Sequence, residues 1–377
     1  MQITQQMPTH TQDQPVTWLK SETSARSWCV AINTPSPLAL DTEFMRRNTY
    51  YPELALVQLS VQGHTALLDP LATHPGPILK ALALDPQRIC IMHSPGEDLE
   101  TLREVLPQGP AHLFDTQLAA AFSGLGYGLG YQTLVAKLTG IDLPKDQTRS
   151  NWLQRPLSIA QKNYAAQDVQ YLETIFDALK SIMTNRGFLE WFEEDCRYVC
   201  RRSQITPDPQ PQTRFRSASN WPKEAVVLLR RLLKWRDQTA RRINRPRPWL
   251  LPDELMAELA TQPPVSMAEL HRMSRSVRFL HNEVLDSLHS LLSMPINEQE
   301  RSATEPVPKP LDNQGKSALK SMQKKVAGIA DDLGLPPAML GSRRLLDTLL
   351  RQHCWPSEVD STWRRAQLEQ PLLNLLP

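Results

Sequence analysis

Strand-length apolar runs in this chain crowd into its first quarter, and the remainder is patterned for helix. The run 38–40 leading into Asp41, then 55–59, 65–68 and 89–92 each have the length of a strand, with turn residues between them. The first three are joined by short connections and predict a meander. The fourth follows a helix-like stretch at 78–83. Helical spacing then takes over at 98–105, 116–122 and 134–138, and in one long pattern over 158–183. Strands followed by covering helices predict an α/β fold with a mixed sheet over 14–190.

Proline divides the rest of the chain. There are 32 prolines in all, more than the roughly 5% of ordinary proteins, and many fall where periodicity stops. The stretch 205–222 is rich in Pro, Ser, Gln and Thr and predicts a linker, with the segment between the two units bounded as 191–220. Beyond it Ala225, Leu228, Leu229, Leu232 and Trp235 share one helical face, opening an all-helical unit over 221–296. A second proline-bearing linker is expected at 297–314, and a second small helical unit at 315–377.

Charge is uneven. Net charge is only +2, but 197–247 carries 14 basic residues against Asp208, Glu224 and Asp237. The rest of the chain is acidic by about −9, so one segment is suited to a polyanion. The N-terminus lacks a basic stretch followed by an apolar core, and no apolar run approaches about 18 residues. The expectation is a cytoplasmic protein with no membrane association. Cys196 and Cys200 lie one helical turn apart with no second pair, so zinc is not expected, and all five cysteines read as reduced thiols.

Three segments carry chemistry. Asp41 and Glu43 stand at i and i+2 at the end of a strand, so both face one side. Paired carboxylates repel unless a cation lies between them, and their hard oxygens suit magnesium or manganese. Ser94-Pro95-Gly96-Glu97 has the form of a capping box, with Asp98 one turn in as a third acid. Tyr164 and Asp168 share a helical face, and Ala165 and Ala166 let that helix approach a sheet closely. Each segment alone also fits solvated surface acids. Together, four acids and a tyrosine on three elements are the set required for two-metal phosphodiester hydrolysis.

In order and spacing these segments resemble the ribonuclease D family, the DEDD 3′→5′ exonucleases with tyrosine in their last motif. The likeness rests on Asp41-Thr-Glu43-Phe44 with Arg46, Arg47, Tyr50, Tyr51 and Pro52 following, and on His93 with Glu97-Asp98-Leu99. It continues through Phe114-Asp115-Thr116-Gln117, Gly130-Tyr131, Ser150-Asn151-Trp152 and Tyr164-x-x-x-Asp168. Asn151 departs from the family's frequent Asp, outside the metal set. The helical units resemble paired HRDC domains, the first through its Leu228–Arg236 helix, Pro263 and Leu270, the second through Leu340-Gly-Ser342-Arg343-Arg344.

The resemblance implies a ribonuclease H-like, DnaQ-type exonuclease fold followed by two small all-α HRDC-type domains. It implies Asp41, Glu43, Asp98 and Asp168 as ligands of two divalent metal ions, Mg2+ or Mn2+, with Tyr164 positioning the water. It implies RNA as partner, nucleoside 5′-monophosphates as product, and 3′ trimming of tRNA precursors and other small stable RNAs by a monomer. Phe44 would stack on the terminal nucleotide, with Arg46 and Arg47 on phosphates. A DNA exonuclease and a non-catalytic RNA-binding protein are the alternatives; the intact acid set and the HRDC-like tail weigh against both. Gly315-Lys316-Ser317 lacks the preceding strand and glycine of a phosphate loop, and the glycines at 124, 126, 128 and 130 lack dinucleotide spacing.

Overall fold

The structure is a computed structural model that describes residues 15–32, 34–144, 150–204, 207–356, 359 and 361–376. The chain divides into two compact units. The first holds the chain to Met45, 54–204 and 312–377; the second holds 46–53 and 205–311.

The first unit is built on a six-stranded sheet of β1 (Thr17–Leu19), β2 (Leu38–Met45), β3 (Glu53–Val61), β4 (His64–Leu68), β5 (Cys90–Met92) and β6 (Leu113–Asp115). Their order across the sheet is β1-β4-β3-β2-β5-β6. β3 and β4 pair antiparallel around Gln62 and Gly63, whose φ values of 52° and 78° suit a two-residue hairpin turn. β2 pairs parallel with β5, β5 with β6, and β1 with β4, so the sheet is mixed as expected. The edge strands β1 and β6 are three residues each, too short to stand out as apolar runs.

Helices cover the sheet: α1 (Glu22–Ala31), α2 (Gly76–Ala83), α3 (Gly96–Thr101), α4 (Thr116–Phe122), α5 (Tyr131–Thr139), α6 (Ile159–Gln170), α7 (Leu172–Arg186) and α8 (Leu189–Ser203). Leu38, Ala39 and Leu40 of β2 are fully buried because a central strand is covered on both faces. The long helix expected over 158–183 breaks at Tyr171 into α6 and α7. The linker expected from 191 is also corrected. α8 runs through that region with Phe192, Asp195, Cys196 and Cys200 buried. Phe192, Cys196 and Cys200, at i, i+4 and i+8, make an apolar stripe hidden among charged neighbours.

The second unit contains α9 (Lys223–Arg242), α10 (Arg247–Leu250), α11 (Asp253–Thr261), α12 (Met267–Ser274), α13 (Asn282–Ser293) and α14 (Glu298–Ala303). The expected face of α9 is its buried face, and the Trp235 indole donates to Ser287 Oγ at 3.0 Å. Both proline-rich stretches expected to be linkers are packed here instead. Gln212 is fully buried and donates to the Glu305 carbonyl, while Gln210 donates to that of Ala303. Arg231 holds the Glu300 carboxylate through two nitrogens, at 2.6 and 2.5 Å.

The remaining helices, α15 (Asn313–Leu333), α16 (Pro337–Leu340), α17 (Arg343–Gln352) and α18 (Thr362–Leu373), form one small bundle that belongs to the first unit. Ser342 caps α17 by accepting from the Leu345 amide at 3.2 Å. A Cβ at Gly341 would lie 3.1 Å from Val326, which explains glycine at that close approach. Among the described residues, no helix is long and apolar enough to cross a membrane.

Candidate active site

β2 supplies the first two acids. Asp41 and Glu43 point to one side of the strand while Thr42 between them is buried on the other. The Thr42 hydroxyl donates to Asp98 Oδ1 at 2.5 Å, which fixes the first turn of α3 against β2. α6 packs across β2 and β4 on the buried alanines Ala165 and Ala166, and carries Tyr164 and Asp168. Ser158 starts α6 with a capping box, its hydroxyl accepting from the Gln161 amide.

The four carboxylates are electrostatic neighbours. Burial is the largest influence on each, and it disfavours the charged form. Asp41 is raised well above the usual carboxylate range by burial and then by Asp98, Asp168 and Glu43. Glu43 is pushed up to about 9 by burial, Asp168 and Asp98. Asp168 rises to about 7 by burial and Asp98. Asp98 rises only to about 6, because hydrogen bonds from Thr42 favour its ionised form.

Among the described residues, no lysine or arginine is one of the main causes of these shifts. A largely buried, crowded set of carboxylate oxygens fits hard divalent cations. Among the described residues, no three acidic, histidine or cysteine side chains are drawn as close as the ligands of one bound ion.

Tyr164 is half-buried, its ring 6.1 Å from the fully buried Trp152. Phe44 is partly exposed at the end of β2. Arg46 and Arg47 are exposed and belong to the segment grouped with the second unit. The capping box expected at Ser94 does not form. Ser94 has φ of 53°, Pro95 takes the cap position, and no side chain caps α3. The Ser94 amide instead donates to Asp115 Oδ1 at 3.0 Å.

Several residues that sequence reasoning gave no role support this cluster. Asp115 accepts from the amides of Ser94, Gln117 and Leu118, joining the end of β6 to the loop before α3. The Tyr131 hydroxyl donates to the Gln167 carbonyl at 2.8 Å and accepts from the Tyr171 amide at 3.2 Å. That clasp spans Asp168. His93 contacts Thr116 Oγ1 through Nδ1 at 2.8 Å and the Tyr131 ring edge-on, and burial lowers it to about 4, so it is neutral near pH 7. Arg155 grips Asp69 at 2.7 and 2.8 Å and the carbonyls of Ala55 and Trp152, fixing the segment that backs Tyr164. Phe114-Asp115-Thr116-Gln117 and Gly130-Tyr131 stood out in the sequence, but contacts 20 to 40 residues apart carry their roles. The glycine-rich stretch turns through positive φ at Gly124, Gly126 and Gly128 and leads into Tyr131. All five cysteines are free thiols.

Comparison with known proteins identifies the family. A 3′-5′ exonuclease family model matches residues 16–184, and the HRDC domain model matches 226–279. Ribonuclease D of Xanthomonas oryzae pv. oryzae is 39% identical over 347 residues, covering 91% of this chain and 93% of that protein. Ribonuclease D of Escherichia coli K12 is 30% identical over 370 residues, covering 95% and 97%. The crystal structure of Escherichia coli RNase D, described as an exoribonuclease involved in structured RNA processing, superposes with a TM-score of 0.81 at 29% identity, covering 96% of this chain and 98% of that one. A structure from Bifidobacterium adolescentis shares the fold, with a TM-score of 0.66 at 21% identity. This exonuclease fold generally depends on divalent metal. With such likeness running through nearly the whole of both chains, the chain belongs to the ribonuclease D family and is a 3′-5′ exoribonuclease.

Proposed function

We propose that Asp41, Glu43, Asp98 and Asp168 hold two divalent ions, Mg2+ or Mn2+, and that this chain trims the 3′ ends of tRNA precursors and other small stable RNAs. The observation that carries the reading is the set of four carboxylates held against ionisation by burial and by one another. When bound, the ions activate a water and stabilise the leaving oxygen. The chain's own residues do the rest.

Asp41, which feels the charge of all three other acids, would help hold both ions. Glu43 and Asp168 would help hold the ion that activates water, and Asp98, steadied by Thr42, would help hold the other. Tyr164, backed by Trp152, orients the attacking water beside Glu43. Phe44 packs on the terminal nucleotide and Arg46 and Arg47 meet phosphates. The water oxygen bonds to the terminal phosphorus as the bond to the neighbouring 3′ oxygen breaks. One proton ends on the new 3′ hydroxyl, and a nucleoside 5′-monophosphate leaves. In this reading the enzyme acts as a monomer in the cytoplasm.

The test is digestion of a 3′-extended tRNA precursor with Mg2+, Mn2+ or EDTA, comparing wild type with Asp168→Asn. The expected result is stepwise shortening from the 3′ end, lost with EDTA and reduced at least about a thousandfold in the variant, the scale of losing one metal-ion contribution. Shortening that persists in EDTA at the wild-type rate would overturn the metal assignment. Full activity on unstructured RNA with none on the precursor would overturn the substrate assignment.

A further inference from the structure

Five arginines of the basic stretch that suggested a polyanion partner are paired with acids inside the second unit. Arg214 pairs with Asp208, Arg231 with Glu300, Arg236 with Asp253, and both Arg241 and Arg247 with Asp237. A further group of arginines, two of them in that stretch, stands apart from any acid. Arg242, Arg245, Arg275 and Arg278 have no acidic partner among the described residues, and the segments 241–250 and 271–281 that hold them contain no Asp or Glu.

Two aromatic rings lie in those same segments. Trp249 is 41% exposed, which is unusual for a side chain that buries so much apolar area when packed. It lies parallel to Phe279, with centroids 5.9 Å apart and planes 3° from each other. The Arg245 guanidinium is 5.7 Å from the Phe279 centroid and that of Arg278 is 5.5 Å from it. Arg245 also donates to the Asn48 carbonyl at 3.1 Å. Asn48 follows Glu43 by five residues of chain.

The platform is stiff. Pro246 and Pro248 fix φ on either side of Arg247, and the Trp249 amide donates to the Pro246 carbonyl at 3.0 Å. Arg247 is held by Asp237 and stacks over Tyr50, with its guanidinium 4.7 Å from the ring centroid. The exposed indole is therefore presented on an ordered segment, so little conformational freedom is lost when a ligand stacks on it.

We propose that Trp249 and Phe279, with Arg245 and Arg278, form a stacking platform for a single-stranded stretch of the RNA substrate. The proposal rests on the exoribonuclease reading for its ligand. A face with flat rings and guanidinium groups that no acid neutralises matches a polymer with flat bases and one negative charge per residue. It does not distinguish bases by hydrogen bonding, so it tolerates any sequence, as an enzyme that removes nucleotides one by one requires.

The test uses full-length Trp249→Ala and Arg278→Gln, both at exposed positions, with circular dichroism to confirm folding. Fluorescence anisotropy with a 5′-labelled single-stranded oligoribonucleotide of about 16 nucleotides in EDTA reads binding without cleavage. We expect Kd to rise at least about fivefold in Trp249→Ala, within the range for loss of one base–aromatic stack. Arg278→Gln should also lower the slope of log affinity against log salt by about 0.7, the value for one contact to single-stranded phosphate. With metal added, KM for the long oligonucleotide should rise while kcat, and all kinetics on one of about 4 nucleotides, stay at wild-type values. Unchanged 16-mer affinity in both variants would overturn the proposal and assign the ring pair to another partner, such as a protein. Equal losses on long and short RNA would overturn it too. Failure of the wild type to shorten RNA would instead count against the catalytic reading, since the anisotropy result stands without cleavage.

Discussion

Buried carboxylates crowded together prefer to keep their protons, and here that preference has a measurable sign. Unfolded Asp and Glu titrate near 4, whereas in the fold Asp98 sits at about 6, Asp168 at about 7 and Glu43 at about 9. Raised values mean that the folded chain binds more protons than the unfolded one. Their stabilisation is complete below about pH 4 and is lost as pH rises through 6, 7 and 9. The metal-free protein should therefore show a falling Tm from pH 5 to 9 in differential scanning calorimetry. Added Mn2+ should reverse this at pH 8 by several degrees, the scale for a ligand at about a hundred times its Kd, and have little effect at pH 5. Glu43→Gln should raise the metal-free Tm at pH 8 and blunt the response to Mn2+. A metal-free Tm that is flat or rising over this range would contradict the cluster's electrostatics. Asp41 and Glu43 were legible because a strand has a period of two. Thr42 was not, since its partner is 56 residues away and only the packed fold brings them together.

The break between α6 and α7 shows at the level of elements what periodicity leaves out. The apolar pattern runs on through Leu172, Ile175, Phe176 and Leu179, so the sequence reads as one helix. The interruption comes from a residue far upstream, the Tyr131 hydroxyl, which takes the Tyr171 amide and the Gln167 carbonyl as partners. Tyr131→Phe leaves both of those groups without that partner at a part-buried position, a loss of about 1 kcal/mol or somewhat more. Because the clasp spans Asp168, we expect kcat to fall about tenfold, a barrier change of ~1.4 kcal/mol, while KM for RNA stays unchanged. The Mn2+-dependent rise in Tm should persist, because no carboxylate has been removed. Loss of that rise would show that Tyr131 holds the ligand set itself together, beyond orienting one turn of α6. Single-turnover kinetics separates the two outcomes from an effect on product release.

On the scale of the whole molecule, the sequence pattern correctly marks helices after residue 311 but not their packing partners. Patterning reports which face of a helix is apolar, whereas docking depends on side chains that meet only in the fold. Asp195 on α8 is buried, in a stretch that reads as linker, and the Arg364 guanidinium grips its carboxylate at 2.5 and 2.7 Å. The Trp363 indole donates to the same carboxylate at 3.1 Å and stacks on Trp191 with centroids 4.8 Å apart. Arg186 donates to the Gly334 carbonyl at 2.7 Å. The tail bundle is thus part of the nuclease unit's own packing. Arg364→Ala strands a buried carboxylate and should cost about 3–5 kcal/mol, as breaking a buried pair does, read as a lower urea midpoint for the nuclease transition. Replacing both partners together, Asp195→Leu with Arg364→Met, should recover most of that loss, because the penalty comes from the unpaired charge more than from the missing attraction. A chain ending at Leu311 exposes Trp191 and Phe122, which lies 5.7 Å from Trp363, and should unfold at a temperature several degrees lower. An unchanged midpoint in Arg364→Ala, together with a wild-type Tm in the shortened chain, would make the tail an independent domain after all.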